Sequence, residues 1–182
     1  IEDQDLAVQA LDTFKVTYPQ RLDAAFGKKL GLQALQAQDH ELIQALLELL
    51  SKEKTDFTVF WRRLSHAVGV LHSQPAALAF KPVRDLFIQP EDWDRWLPAY
   101  VQRIQSQDLL ATSRTLLKTN PKYVLRNHLG EQAIQQAKIG DFSMVNDLLA
   151  VLQNPFDEHP AFEAWAGFPP DWASSISISC SS

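Results

Sequence analysis

The sequence predicts an all-α fold, an irregular multi-helix domain, from three observations. Apolar residues recur at intervals of three and four rather than two, which places them on one side of a helix. Glycine is scarce, at 6 of 182 residues, and no segment strongly resembles a buried strand. The composition, 46% hydrophobic and 21% charged, is that of a globular protein with a real core.

The first predicted helix is the segment DHELIQALLELL at positions 39–50. Asp39 stands where a carboxylate can cap the free amides of a first turn. The apolar stripe behind it comprises Leu42, Ile43, Leu46, Leu47 and Leu50. We therefore expect an amphipathic helix that needs a buried neighbour.

Two further segments have the same apolar spacing. The helix in DFTVFWRRLSHAV is expected to begin behind Thr55 or Asp56. Pro90 suits the first turn of the next helix, because its missing N–H would have no partner there. The two stripes are Phe57, Phe60, Trp61, Leu64 and Val68, and then Trp93, Trp96, Leu97, Tyr100, Val101 and Ile104.

The segment NPKYVLRNHLGEQAIQQAKIGDFSMVNDLLAVLQNPF predicts a helical hairpin. Its first helix is expected from about Pro121 to Lys138, and its second from about Ser143 to Gln153. Gly140 can take the left-handed conformation that closes a helix, and Ser143 can cap the next one. Pro155 ends the run.

We expect one helical domain at 1–172, followed by a flexible, serine-rich tail at 173–182 that carries Cys180. The segment GVLHSQPAALAFKP at 69–82 is predicted to be a linker. Aromatic residues near the end should anchor it on the helical body: Phe156, Phe162, Trp165, Phe168 and Trp172. The chain opens without methionine where it already looks helical, so we expect a longer protein.

The net charge of −5, from 17 basic and 22 acidic residues, argues against a general nucleic-acid binder. The longest apolar stretches are shorter than the roughly 20 residues that span a bilayer, and no targeting segment is visible. We expect a soluble, cytoplasmic, bacterial-type protein with no membrane partner. A local basic stretch is interpreted as a solvated helical face, with a phosphate or acidic partner as the alternative: Arg114, Lys118, Lys122, Arg126 and His128.

The residues give little sign of a catalytic or metal site. None of the five histidines has a second histidine or a cysteine at i+3 or i+4, so we expect no metal site in this chain. No glycine-rich phosphate loop or nucleophile elbow is present. The acidic group at 91–94 suits a helix N-terminus, where the dipole favours negative charge. Asp157 to His159 is interpreted as a polar loop.

The single cysteine of the chain, Cys180, is the third residue from the end of this sequence. A free cysteine is usually buried as a small hydrophobe, so its place in a polar tail suggests chemistry or a partner thiol. An incidental surface cysteine is the alternative, and the residues alone leave both open.

Three segments carry a resemblance to a known family: NPKYVLRNHLGEQAI, GDFSMVNDLLAVLQNPFDE and PPDWASSISISCSS. They resemble the C-terminal region of the SelO family, also called YdiU or UPF0061, and the resemblance runs over nearly the whole chain. That family has cysteine or selenocysteine at the third position from its C-terminus. The resemblance therefore implies that Cys180 is redox-active and able to pair with a sulfur in an upstream catalytic region.

The resemblance also implies a function for the longer protein. SelO proteins are similar to protein kinases in fold and transfer AMP from ATP to protein hydroxyls on Ser, Thr or Tyr. ATP and Mg²⁺ or Mn²⁺ are thus implied for the parent, bound by a kinase-like core that precedes this region. No catalytic, cofactor-binding or metal-binding residue can be carried onto this chain. We expect it to support the kinase-like C-lobe and to be inactive alone.

The partners implied are the upstream catalytic core and the protein substrates of the parent. The main alternative is a helical protein-interaction module with no catalytic role, which offers a groove to a partner helix or peptide. A helical nucleic-acid binder is a more distant alternative. If the chain is a fragment, the face that meets the missing core should be apolar and exposed, which predicts self-association.

Overall fold

The computed structural model describes residues 4–176 and confirms the all-α prediction, since this part of the chain contains helices and no strand. The α-helices are α1 (Gln4–Lys29), α2 (Asp39–Lys52), α3 (Phe57–Val70), α4 (Ala76–Ala79), α5 (Lys81–Arg84), α6 (Glu91–Ile104), α7 (Leu109–Thr119), α8 (Asn127–Lys138) and α9 (Ser143–Gln153). Two 3-10 helices follow, η1 (Pro160–Ala166) and η2 (Asp171–Ser175).

The core surrounds α3, which is buried on most of its circumference and packs against α7 and α5. Helix α2 packs against α6 and α1. Aromatic rings join α3 to α6: Phe60 and Trp93 meet edge to face, with ring centroids 6.0 Å apart. Such ring pairs contribute about 0.5–1.5 kcal/mol beyond the area that they bury. The predicted stripes therefore meet in one core, except for Phe57, which is 46% exposed.

The N-terminal ends of the helices show which predictions depend on neighbouring residues and which depend on distant ones. Asp56 caps α3 as predicted, and its Oδ1 accepts from the N–H of Val59 at 3.0 Å. The prediction for Asp39 is wrong, because its carboxylate is buried and accepts instead from Arg103 at 2.8 and 3.0 Å. It also accepts from the N–H of Gln36 at 2.8 Å, just before α2. A distant arginine thus decides the role of this aspartate.

The hairpin prediction is confirmed for α9 and corrected for α8. Helix α8 begins at Asn127 and not at Pro121, because Lys122 and Tyr123 both donate their N–H groups to the carbonyl of Pro155, at 2.8 and 3.1 Å. These bonds hold 121–126 outside any helix. Gly140 has the predicted left-handed conformation, with φ of 87°.

The predicted cap of α9 is wrong. Ser143 is the first helical residue, and its N–H donates to Asp141 Oδ1 at 2.9 Å. The carboxylate two residues earlier thus takes the role expected of the serine.

The segment 69–82 is not a linker. It contains α4 and the beginning of α5, and it places Ala79 and Phe80 in the core, at 2% and 1% exposure. Val83, immediately after it, is fully buried. Two four-residue helices were missed because they are too short for a periodic pattern.

The N-terminal part of α1 differs from the rest of the molecule, because residues 4–21 are exposed except for the half-buried Ala7. The C-terminal end of α1 is fixed: Asn120 donates to the carbonyl of Lys29 at 3.0 Å, and Tyr100 donates to the carbonyl of Leu30 at 2.9 Å. In the described range, 4–176, we find no helix with the length and apolar character needed to cross a bilayer.

Candidate tail-anchoring site

The polar site of greatest interest lies under the segment that follows α9, which we call the C-terminal strap (residues 155–176). The strap contains η1 and η2, and neither helix has a buried residue. It begins at Pro155, whose carbonyl accepts the two N–H groups described above. Its position matters because the described chain ends four residues before Cys180.

Two nearly buried cations, Arg62 and Lys122, face two glutamates of the strap. Arg62 Nη2 lies 2.7 Å from Glu158 Oε1, and Lys122 Nζ donates to both Glu158 and Glu163. The cationic side chains are 11% and 10% exposed, whereas the two glutamate side chains are 55% and 65% exposed. The helical body thus supplies fixed positive charge, and the strap supplies the carboxylates from the solvent side.

Arg62 is held in place by backbone carbonyls as well. Its Nη1 donates to Leu117 at 3.0 Å and to Asn120 at 3.4 Å, and its Nη2 donates to Phe156 at 3.3 Å. Since Arg62 is on α3, Leu117 is on α7 and Phe156 is in the strap, one guanidinium ties three parts of the chain together.

The ion pairs alter the acidity of their members. Hydrogen bonds from Lys122 and then Arg62 hold the pKa of Glu158 below its usual value. Burial alone would lower the pKa of Lys122, but its hydrogen bonds to Glu158 and Glu163 outweigh burial and raise it. Both pKa shifts favour the charged forms, so the side chains are ionised at neutral pH. We call this cluster of Arg62, Lys122, Glu158 and Glu163 the clamp.

Weaker contacts complete the attachment of the strap. The hydroxyl of Tyr123 donates to the carbonyl of His159 at 3.2 Å. Trp165 packs against a small apolar cluster formed by α8 and α9. The guanidinium of Arg63 lies 5.7 Å from the ring centroid of Phe168, and the rings of His128 and Trp172 meet edge to face at 6.0 Å. These aromatic strap residues, Trp165, Phe168 and Trp172, remain partly exposed.

A cleft of about 610 Å³ lies between α3 and the strap. It is lined by Arg62, Arg63, His66, Lys122, Glu158 and Glu163, among others. Desolvation, followed by the charge of Arg62, lowers the pKa of His66. The carboxylates of Glu158 and Glu163 offset the charge of the two nearly buried cations of the cleft, Arg62 and Lys122.

The structure divides the predicted basic stretch. Arg114 and Lys118 are exposed on α7, as expected for a solvated face. That interpretation is wrong for Lys122, which belongs to the clamp, and for Arg126, whose Nη1 lies 2.7 Å from Asp56 Oδ2. His128 is buried at 7% exposure. The five residues are therefore in four separate environments and form no continuous basic surface.

The sequence interpretation of 157–159 as a polar loop missed the role of Glu158. Arg62 gave no signal of its own, because the apolar stripe of α3 lies on another side of the helix. Cys180 lies outside the described residues, so its redox role stays a prediction, as does a flexible tail at 173–182. Within 4–176, no group of three or more potential ligands is placed to hold a metal ion.

Comparison with known proteins identifies the family. The family model that matches is described as protein adenylyltransferase SelO, and it matches residues 1–153, which include α1 to α9. Curated relatives extend the similarity through the strap.

The protein nucleotidyltransferase YdiU of Variovorax paradoxus is 46% identical over 182 residues, which are 100% of this chain and 35% of the relative. The protein of the same name from Albidiferax ferrireducens is 47% identical over 186 residues, which cover 100% of this chain and 36% of the relative. The protein of the same name from Cupriavidus metallidurans is 44% identical over 180 residues, which cover 98% of this chain and 32% of the relative. The chain spans about a third of the length of these relatives. With a family model matching most of its length, the chain belongs to the SelO family of protein adenylyltransferases.

Proposed function

We propose that this chain is the C-terminal helical part of a protein adenylyltransferase, which transfers AMP from ATP to Ser, Thr or Tyr hydroxyls of proteins. The observation that carries the proposal is similarity along the whole chain to about a third of proteins named nucleotidyltransferases. The reaction joins a protein hydroxyl to the α-phosphorus of ATP and releases pyrophosphate. The bacterial relatives favour a bacterial cytoplasm as its location.

The groups that bind ATP and Mg²⁺ or Mn²⁺ would lie in a kinase-like core outside this chain. Two observations support that division. In the described range, no three ligating side chains come together for a metal. The buried cations of the cleft, Arg62 and Lys122, are already neutralised by Glu158 and Glu163. We therefore assign the chain the role of a scaffold next to the catalytic core, inactive by itself.

The clamp gives this scaffold a second role, which is to hold the start of the tail that carries Cys180. Cys180 is five positions after Ser175, so its Cα atom can lie at most about 18 Å from the end of η2. A disulfide to a cysteine of the core would form by exchange with a small disulfide such as oxidised glutathione. The two protein thiols lose two electrons and two protons, and the small disulfide is reduced to two thiols.

A chimera tests the proposed activity. The 182 residues replace the aligned 35% of the Variovorax paradoxus protein, and transfer of label from α-phosphate-labelled ATP to protein is measured. We expect transfer by the chimera and by the natural relative, and none by the isolated chain. A chimera that folds like the relative but does not transfer label, beside an active relative, would contradict the proposal.

The same chimera tests the redox role. We expect its activity to differ between oxidising and reducing conditions, and Cys180→Ser to remove that difference. If the parent chimera responds and the variant responds equally, Cys180 is not the redox group.

A protein-interaction module without a catalytic role is the second candidate, and one observation favours it. Phe142, immediately before α9, and Val145 and Leu149 within it follow at spacings of three and four, and all three are exposed, at 57%, 40% and 56%. The test compares the chimera with and without Leu149→Asp. If the variant transfers as much AMP as the parent chimera but no longer binds a protein partner, the result would support this candidate.

A further inference from the structure

The N-terminal part of α1, residues 4–21, carries an apolar stripe, and we call this part the α1 arm. Leu11, Phe14 and Tyr18 are spaced by three and four residues and therefore share one side of the helix. They are 58%, 58% and 51% exposed, and the rings of Phe14 and Tyr18 stack with centroids 5.0 Å apart. The stripe is thus preformed but uncovered by the described residues.

The arm has poor grounds for being helical by itself. Pro19 lies inside α1, where it removes the hydrogen bond to the carbonyl of Lys15 and crowds the preceding turn. An isolated helix of this length is marginal in water, and most helices in proteins are stabilised by packing of an apolar face. Val8, at 55% exposure, adds further apolar surface. A partner that covers the stripe would explain both why the arm is helical and why its apolar side chains are exposed in this chain.

The charges of the arm discriminate among partners. Between residues 4 and 21 the ionic side chains are Asp5, Asp12, Lys15 and Arg21, and Asp12 and Lys15 pair at 3.0 Å. A helix that binds anionic membranes is rich in lysine and arginine on its polar face, so a lipid surface does not fit. The nearly neutral arm fits an apolar protein groove with a polar rim.

The comparisons supply a partner of suitable size. The family model matches from residue 1, so the arm belongs to the part of the chain that resembles the family. About two thirds of the length of the relatives lies outside this chain. That remainder is available to cover the arm, and a complete protein with the stripe uncovered would expose a patch typical of an interface.

We propose that Leu11, Phe14 and Tyr18 of the α1 arm dock in an apolar groove on the other two thirds of the family protein. This inference rests on the proposed function, because it takes the chain to be one part of a longer enzyme. The Asp12–Lys15 pair borders the groove, and the anchored end of α1 fixes the direction in which the arm projects. The same stripe would account for the self-association that the sequence analysis predicts for the isolated chain.

Hydrogen exchange at residues 4–18 tests the docking. In the chimera with the Variovorax paradoxus protein, we expect these amides to be protected at least about tenfold more than in the isolated, monomeric chain. Phe14→Asp should remove most of that protection in the chimera and should leave the unfolding midpoint of the isolated chain unchanged. Phe14→Ala is the milder variant, with a smaller loss expected.

Val16→Asp is the matched control, because Val16 is on the opposite side of the same helix and is exposed to a similar extent. It should retain the protection of the parent chimera. The unmodified relative provides a second measurement, in which the first 18 residues aligned with this chain should be equally protected. Equal exchange in the isolated chain, the chimera and the relative, or equal loss with Val16→Asp, overturns the proposal.

Three outcomes separate this inference from the proposed function and from self-association. If the arm is protected in a chimera that does not transfer AMP, the docking stands and the proposed function fails. If AMP is transferred while the arm exchanges freely, the docking fails alone. Protection that disappears on dilution, together with a dimer in light scattering, assigns the stripe to a second copy of the chain and overturns the proposed partner.

Discussion

Arg62 and Glu158 are 96 residues apart in sequence, and their side chains meet at 2.7 Å. The arginine is buried in the middle of α3, and the glutamate reaches it from the exposed strap. Lys122 joins the same carboxylate from a third segment. This contact closes the C-terminal strap over the helical body and fixes where the tail begins.

Glu158→Gln should loosen the strap. The change removes the carboxylate that pairs with Arg62 and leaves Lys122 with Glu163 alone. Because the carboxylate of Glu158 is about half exposed, the loss of stability is limited. We expect a loss of about 1–2 kcal/mol in the free energy of unfolding, between the values for exposed and buried pairs. Urea denaturation measures it. Glu48→Gln, at an exposed glutamate within α2, is the control and should change stability by less than about 0.5 kcal/mol. Equal effects of the two changes would contradict the clamp.

The clamp also predicts how stability depends on pH. Because the folded pKa of Glu158 is lowered, its contribution is complete above the unfolded value of about 4.3 and is lost as pH falls through the folded value. The raised pKa of Lys122 gives a contribution that is complete below about 10.4 and is lost as pH rises through the folded value. Urea midpoints measured from acid to alkaline pH should show both limbs. Glu158→Gln should flatten the acid limb, and an unchanged acid limb would count against this assignment.

The buried Asp39 should depend strongly on Arg103. Its side chain is 1% exposed, and it binds the guanidinium at two oxygens. Arg103→Met leaves a buried carboxylate without its cation and should cost about 3–5 kcal/mol. The double variant with Asp39→Asn should cost clearly less than the sum of the single changes, because both remove the same interaction. Additive losses in a double-mutant cycle would show that the two residues are not coupled.

The features of the fold and the site that could be predicted from the sequence are those whose interacting residues are close together along the chain. The stripes of α3 and α6, the cap at Asp56 and the turn at Gly140 follow from neighbouring residues, and the structure confirms them. Asp39 was assigned wrongly because Arg103 is 64 residues away.

The clamp and the first residue of α8 were also missed because they depend on residues far apart in the sequence. Neither the ion pairs of Glu158 nor the bonds from Lys122 and Tyr123 to Pro155 leave a periodic trace in the sequence. The family, by contrast, was identified from long local segments, and the comparisons confirm it.

Gly31 should be more sensitive to substitution than Gly140, although both have left-handed backbone, with φ of 73° and 87°. A Cβ at Gly31 would lie 2.6 Å from Thr112 Cγ2, whereas nothing lies within 4 Å of a Cβ at Gly140. Gly140→Ala should cost about 1 kcal/mol for its conformation alone. Gly31→Ala should cost at least about 1 kcal/mol more, because α1 and α7 must move apart. Thermal or urea unfolding of both variants measures the difference, and equal losses would exclude close packing at Gly31.

ATP binding tests most directly whether the reactive groups lie outside this chain. Isothermal titration with ATP and Mg²⁺ should show no saturable binding to the isolated 182 residues and saturable binding to the chimera and the natural relative. Saturable binding of ATP to the isolated chain, abolished by changes to its own residues, would contradict the account and place a nucleotide site within these helices.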